Sequence, residues 1–425
     1  MKRIIALLFV FTLLISINSY SQISDDWKLS GQIQIRSELD GRDFDNDTYP
    51  LSFASLRTRL GVNKSFTDRV QFFVQFQDSR VFGEEPNTLS AIDNIDLHQG
   101  YVTLVKPFNL DLNVQTGRFE VAYGTERFFG AVGWHYVGRS FDGVRFEIAP
   151  SSFPLDIFAL TVREPQNYIG NAVPSAYSNP SVPATSHSIY GLYKIFNISE
   201  KSRLDLLGYY ENNRARTNQG DNALKMFTLA GTYSGKYDKL STVVEAAYQF
   251  GKMGEMDVGA YLVSASLEYK MNEVSLGAGA DLLSGTDNAS SDFNTFQPIY
   301  GTNHKFYGYM DYFINIPGNT FFAGLNDFYL RFNYMPKDSK LTFFADLHHF
   351  MSNKSILVTS VQNPDGEEQN TFGQELDLTV RYNFIKGTTI TWGGSLFFPG
   401  DLMKTFFAPG EDLSFWSYLM ITANL

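Results

Sequence analysis

Between Lys28 and Ala423 this chain alternates apolar and polar side chains one by one, and that period of two restricts its fold more than anything else. Successive strand residues point to opposite faces, so strict alternation describes a sheet with one oily and one wet side. Leu29, Gly31, Ile33 and Ile35 alternate with Lys28, Ser30, Gln32, Gln34 and Arg36. Ala54, Leu56, Thr58, Leu60 and Val62 interleave with Ser55, Arg57, Arg59 and Asn63. Val70, Phe72, Val74 and Phe76 do so with Gln71, Gln75 and Gln77. The pattern returns to the end of the chain, through Leu224–Tyr233, Leu341–His348, Glu375–Phe384, Ile390–Phe398 and Phe415–Ala423. The spacing predicts an all-β chain of about 18 antiparallel strands, an even number as in bacterial membrane barrels.

Connection lengths point the same way. Short links such as Ser65–Arg69, Lys106–Asn109 and Lys236–Lys239 are expected to alternate strictly with long ones such as Arg118–Ser140, Gly285–Asn326 and Met351–Asn370. Short periplasmic turns and long outer loops give a transmembrane barrel that segregation. Aromatic residues make up 16% of the chain, yet mean hydropathy is only −0.17. Much aromatic surface without net hydrophobicity suits an apolar outer band with aromatic girdles around a wet interior. No fixed repeat of a solenoid or propeller is present.

The beginning, Met1-Lys2-Arg3, then an apolar run from Ile4 to Ile17, then Ser19 and Ser21, reads as a cleaved signal peptide over residues 1–21. Residues 22–425 are expected to form a single barrel domain, with no room for a plug domain ahead of the strands. The chain has no cysteine, which excludes lipid attachment at cysteine, disulfides and thiolate metal sites. Of 34 Lys+Arg and 45 Asp+Glu, the leader holds Lys2 and Arg3, leaving 32 against 45, a net −13. Such an acidic balance argues against nucleic acid as a partner. It leaves an anionic solute open, because the field in a pore depends on local placement.

Register follows from a magnitude. An arginine facing lipid near the midplane costs about 2–4 kcal/mol, so Arg57 and Arg59 are expected to face the lumen. By the same reasoning so are Arg36, Arg145, Arg331 and Arg381, opposite Asp111, Glu147, Asp156, Glu245, Glu268, Asp281, Asp346, Glu375 and Asp377.

The densest charge lies in Gly-Arg-x-Glu-x-x-Tyr-Gly-x-Glu-Arg, Gly117 to Arg127, followed by Trp134 and by Gly-Arg-x-Phe-Asp-Gly-Val-Arg, Gly138 to Arg145. This pattern resembles the signature of the alginate export family of outer-membrane porins. The stretch from His304 to Phe313, with Gly324-Leu325-Asn326-Asp327, is similar to a later segment of that family. The resemblance implies an 18-stranded barrel of the Gram-negative outer membrane, set among lipid and lipopolysaccharide, whose electropositive constriction passes an anionic uronate polysaccharide. It names Lys305, Tyr307, Asp311 and Asp327 in the second stretch.

Arginine binds a carboxylate through its planar fork and stays charged at any working pH. Arg118, Arg127, Arg139 and Arg145 are therefore candidates for a ladder along the path, with Arg57, Arg59, Arg331 and Arg381 as neighbours. Glu120, Glu126 and Asp142 would hold those arginines in place. Tyr123, Tyr307 and Trp134 are candidates to stack on sugar rings or to pack the loops. No cofactor and no metal is expected: Asp40 to Asp47 lacks the spacing of an EF-hand and reads as a solvated loop. The six scattered histidines and the absence of HExxH, GxSxG and GxxxxGK[ST] argue against an enzyme. A general sugar or small-solute porin, and a binding barrel plugged by its own loops, remain alternatives. A periplasmic partner is left unnamed.

Overall fold

The structure is a computed structural model and describes residues 27–85, 94–150, 152–163, 186–214, 223–287, 290–359, 364–407 and 413–425. The expected leader and cleavage point lie outside these residues. Eighteen strands, β1 (Trp27–Gly41) to β18 (Ser414–Asn424), each pair antiparallel with the next in the chain. β1 also pairs with β18, from Gln32↔Asn424 to Gly41↔Phe415, so the sheet closes and leaves no edge. Regular helix among the described residues amounts to short turns such as Asp401–Phe406, and none is long and apolar enough to cross a membrane.

Burial is inverted relative to a soluble core. Leu29 (69% exposed), Leu60 (59%), Leu229 (56%) and Leu330 (59%) stand on the outer face. Gln34, Arg36, Arg57, Arg59, Glu245, Asp281, Asp327, Glu375 and Asp377 are buried on the inner one. Strands satisfy their backbone with each other, as a bilayer demands, and period two does the sorting.

The expected segregation of loop lengths has one exception. β11 (Leu240–Met253) and β12 (Met256–Met271) meet on the long-loop side through Gly254-Glu255 alone, where Gly254 takes φ 63°. β15 (Leu341–Val358) and β16 (Glu367–Ile385) also run further out than alternation suggested, because an irregular register past Met351 lets pairing resume at Ile356↔Gln369. Asp111 departs too: it sits at an exposed turn before β5 (Leu112–Phe119) and not on the lumen wall.

Two long connections turn inward and narrow the lumen. Residues 120–140 join β5 to β6 (Phe141–Ile148), and residues 284–324 join β13 (Val274–Leu283) to β14 (Leu325–Tyr334). They meet backbone to backbone: Gly130 N–H donates to Tyr300 O at 2.9 Å and Thr302 N–H to Glu126 O at 2.9 Å. A side chain at Gly130 would collide with the Thr302 hydroxyl, so the close approach requires glycine there. Phe128, Phe129, Tyr300, Tyr307, Phe313 and Ile316 of these loops pack with Phe158, Tyr209, Phe350 and Phe397 of the wall into one apolar cluster.

Candidate functional site

The first inward loop is anchored by a deeply buried cation. Arg127 is 3% exposed, and its guanidinium donates to Glu245 at 2.6 Å, Asp281 at 2.8 Å, Ser264 at 3.1 Å and the Tyr307 hydroxyl at 3.0 Å. It lies 4.0 Å over the ring of Phe306. Burial opposes its charge, but Asp281, Tyr307 and Glu245 together hold its pKa well above the ordinary value. Arg127 and Tyr307 therefore tie the two loops to the wall and do not line an open path.

Other expected ladder members are also occupied. Arg59 meets Glu120 at 3.2 Å, and His98 Nε2 stands 2.8 Å from the same carboxylate. Burial pushes Glu120 up, but the hydrogen bond with His98 and the charges of Arg59, His98 and Arg57 hold its pKa below the usual value. Arg57 donates to the loop carbonyls Gly133 O at 3.0 Å and His135 O at 2.8 Å, and to Gln32 and Gln34. Arg139 binds the carbonyls of Tyr300 and Gly301. Arg145 pairs with Glu147 at 3.2 Å, and Arg331 with Asp346 at 2.9 Å. Tyr123 is buried, stacks on Tyr193 at 4.2 Å and donates to Asp156 at 3.0 Å. Asp311 lies 2.7 Å from His304 Nδ1, and Asp327 is buried 2.8 Å from His348 Nδ1.

Arg118 and Asp142 contradict the expectation of a lumen position. β5 continues to Phe119 with Gly117 at φ 129°, and in register Gly117↔Gly143 and Phe119↔Phe141 flank the pair Arg118↔Asp142. Phe119 and Phe141 are buried inside, so the residues between point to the outer face. There the two bind each other at 2.9 Å, their side chains 35% and 59% exposed.

What remains open lies between the loops and the far wall. A cavity of about 430 Å³ is lined by Glu126, Gly133, Trp134, Thr302, His304, Lys305 and Tyr309 of the loops, and by Phe344, Thr379, Arg381 and Tyr418 of the wall. Arg381 is exposed within it, 5.1 Å from the Phe344 ring, and makes no ion pair among the described residues. Lys305 is half-exposed, donates to Thr125 O at 2.9 Å and reaches Glu126 only at 3.7 Å. Trp134 stacks on His304 at 4.4 Å, meets Tyr418 edge-on at 4.9 Å and carries Arg36 over its face at 4.3 Å. Of the expected site residues, Glu126, Trp134, Lys305 and Arg381 thus share one space. His304, Tyr309, Phe344, Thr379 and Tyr418 were not anticipated; inward parity with Arg381 could have found Thr379, and parity with Asp346 could have found Phe344. Among the described residues no group of three His, Asp or Glu could hold a metal ion.

The model of the family described as alginate export matches residues 27–407. The chain belongs to the alginate export family. It is accordingly a channel of the Gram-negative outer membrane and not an enzyme. In fold it is similar to Pseudomonas aeruginosa OpdL, with TM-score 0.60 and 12% identity over 94% of this chain and 99% of that one. P. aeruginosa OccK8 (OprE) gives 0.59 and 14% over 94% and 98%. P. aeruginosa OpdK, solved with vanillate, gives 0.56 and 10% over 94% and 98%. No curated protein matches the chain in sequence. This member of the alginate export family keeps most of its signature arginines paired.

Proposed function

We propose that this channel passes an anionic, uronate-bearing oligo- or polysaccharide by passive diffusion, past Arg381 and Lys305. The observation that carries the reading is Arg381: an exposed lumen guanidinium with no carboxylate partner among the described residues, facing Lys305 across one cavity. Arg381 is free to take a carboxylate through its fork, while Lys305 supplies a point charge. Trp134, Tyr309 and Tyr418 offer aromatic surface to the apolar faces of a sugar. Two accessible cations hold a carboxylate weakly enough for it to leave, as conduction requires. The acid excess of the chain does not oppose this, because Glu245, Asp281, Asp327, Glu375 and Asp377 are buried in the wall.

Single-channel recording in planar bilayers tests the reading. Wild type is expected to prefer anions and to be blocked by oligouronates but not by neutral oligosaccharides of the same length. Arg381→Ala with Lys305→Ala is expected to move the reversal potential toward cations and relieve the block. Unchanged selectivity in the double variant would overturn the assignment. The dense packing of the two inward loops favours one competing reading, a barrel closed by its own loops, and that reading predicts no conductance steps at all.

A further inference from the structure

We propose that His304 is a third cation of the constriction, charged only at lower pH, and that its charge sets how strongly the cavity selects anions. The inference rests on the cavity shared by Arg381 and Lys305 being the path of the solute. His304 sits on the second inward loop and lines that cavity. Its ring stacks on Trp134 of the first loop at 4.4 Å and on Tyr309 at 5.2 Å. Asp311 holds it by one nitrogen, with Nδ1 2.7 Å from the carboxylate. An ionised carboxylate only accepts, so Nδ1 carries the hydrogen. Nε2 makes no hydrogen bond among the described residues. It is therefore where a second proton is gained, and gaining it turns an acceptor into a charged donor.

The surrounding charges make that proton decisive. Two cations, Arg381 and Lys305, and two carboxylates, Glu126 and Asp311, stand around His304 and cancel. Arg36, over the ring of Trp134, is matched by Glu38 at 2.8 Å, and Arg331 by Asp346 at 2.9 Å. Behind the loop, Asp377 and Glu375 are buried and accept the backbone N–H groups of Tyr309 and Met310. Trp416, edge-on to His304 at 6.5 Å, and Tyr418 complete the wall without charge. Burial and the neighbouring Arg36 hold His135, the other imidazole of these loops, below its ordinary pKa. Imidazole is the side chain whose charge changes between about pH 5 and 8. Cationic at the low end and neutral at the high end, His304 tips a balanced cavity toward anions as pH falls.

Reversal potentials of the full chain in planar bilayers, under a potassium chloride gradient, test this. From pH 8 to pH 5 the chloride-to-potassium permeability ratio of wild type is expected to rise about two- to fivefold, the effect of one charge acting across about 8 Å of screened water. His304→Gln, which can still donate to Asp311 but takes up no proton, is expected to lose the rise. So is His304→Phe, which keeps the stacking. Asp311→Asn removes the carboxylate that favours the imidazolium and is expected to move the midpoint of the rise to lower pH, a change that a merely structural role would not produce. His135→Gln is expected to leave the rise in place. Heat-modified gel mobility establishes that each variant is folded. A rise that survives in the folded His304 variants, or that His135→Gln abolishes, overturns the inference. The two readings fail separately: unchanged selectivity in Arg381→Ala with Lys305→Ala overturns the path, whereas an effect of that double variant without any pH step in wild type overturns only the role of His304.

Discussion

Arg127 shows how one side chain can hold a constriction without touching what passes through it. Its socket is assembled from residues far away in sequence, with Glu245 and Asp281 standing 118 and 154 positions on. Removing one partner of a buried ion pair leaves the others uncompensated, at a cost of about 3–5 kcal/mol. Arg127→Ala is therefore expected to lower the urea midpoint of the refolded barrel and to raise single-channel conductance as the loop loosens. An unchanged midpoint and conductance would show that the socket is not what places the loop. The sequence motif marks this arginine as functional but carries no trace of its partners, because a lattice of buried charges is defined by which strands become neighbours.

At the scale of elements, the two inward loops depend on backbone positions that side chains would block. Gly308 takes φ 79°, and a Cβ there would lie 2.5 Å from the Glu375 carboxylate. Gly308→Ala combines this clash with a left-handed backbone costing ~1–2 kcal/mol for an L-residue. The expected result is faster proteolysis within 284–324 of folded protein, with the strand content seen by circular dichroism retained. Strands were legible because period two is a local property: Arg57 and Arg59 fall on the inner face where alternation puts them. The loops were not, since their fold is set by contacts with the wall. Arg118 lies between these cases. Its neighbours Gly117 and Phe119 continue β5, so parity carried the correct outward placement, but the charge density of the motif pointed elsewhere.

For the whole molecule, the inverted arrangement of polarity makes a sharp contrast testable. Leu229→Arg puts a charge on the lipid face and is expected to cost about 2–4 kcal/mol in refolding into vesicles. Arg381→Lys, which keeps a charge at an exposed inner-face position, is expected to stay within about 0.5 kcal/mol. Equal costs would mean that the outer face does not meet lipid. The seam between β1 and β18 has a kinetic consequence. It joins Gln32 to Asn424, nearly the two extremes of the described chain. Until those termini find each other, two open flanks of backbone remain available to any passing strand, so the period before closure is when this polypeptide is most exposed to mispairing.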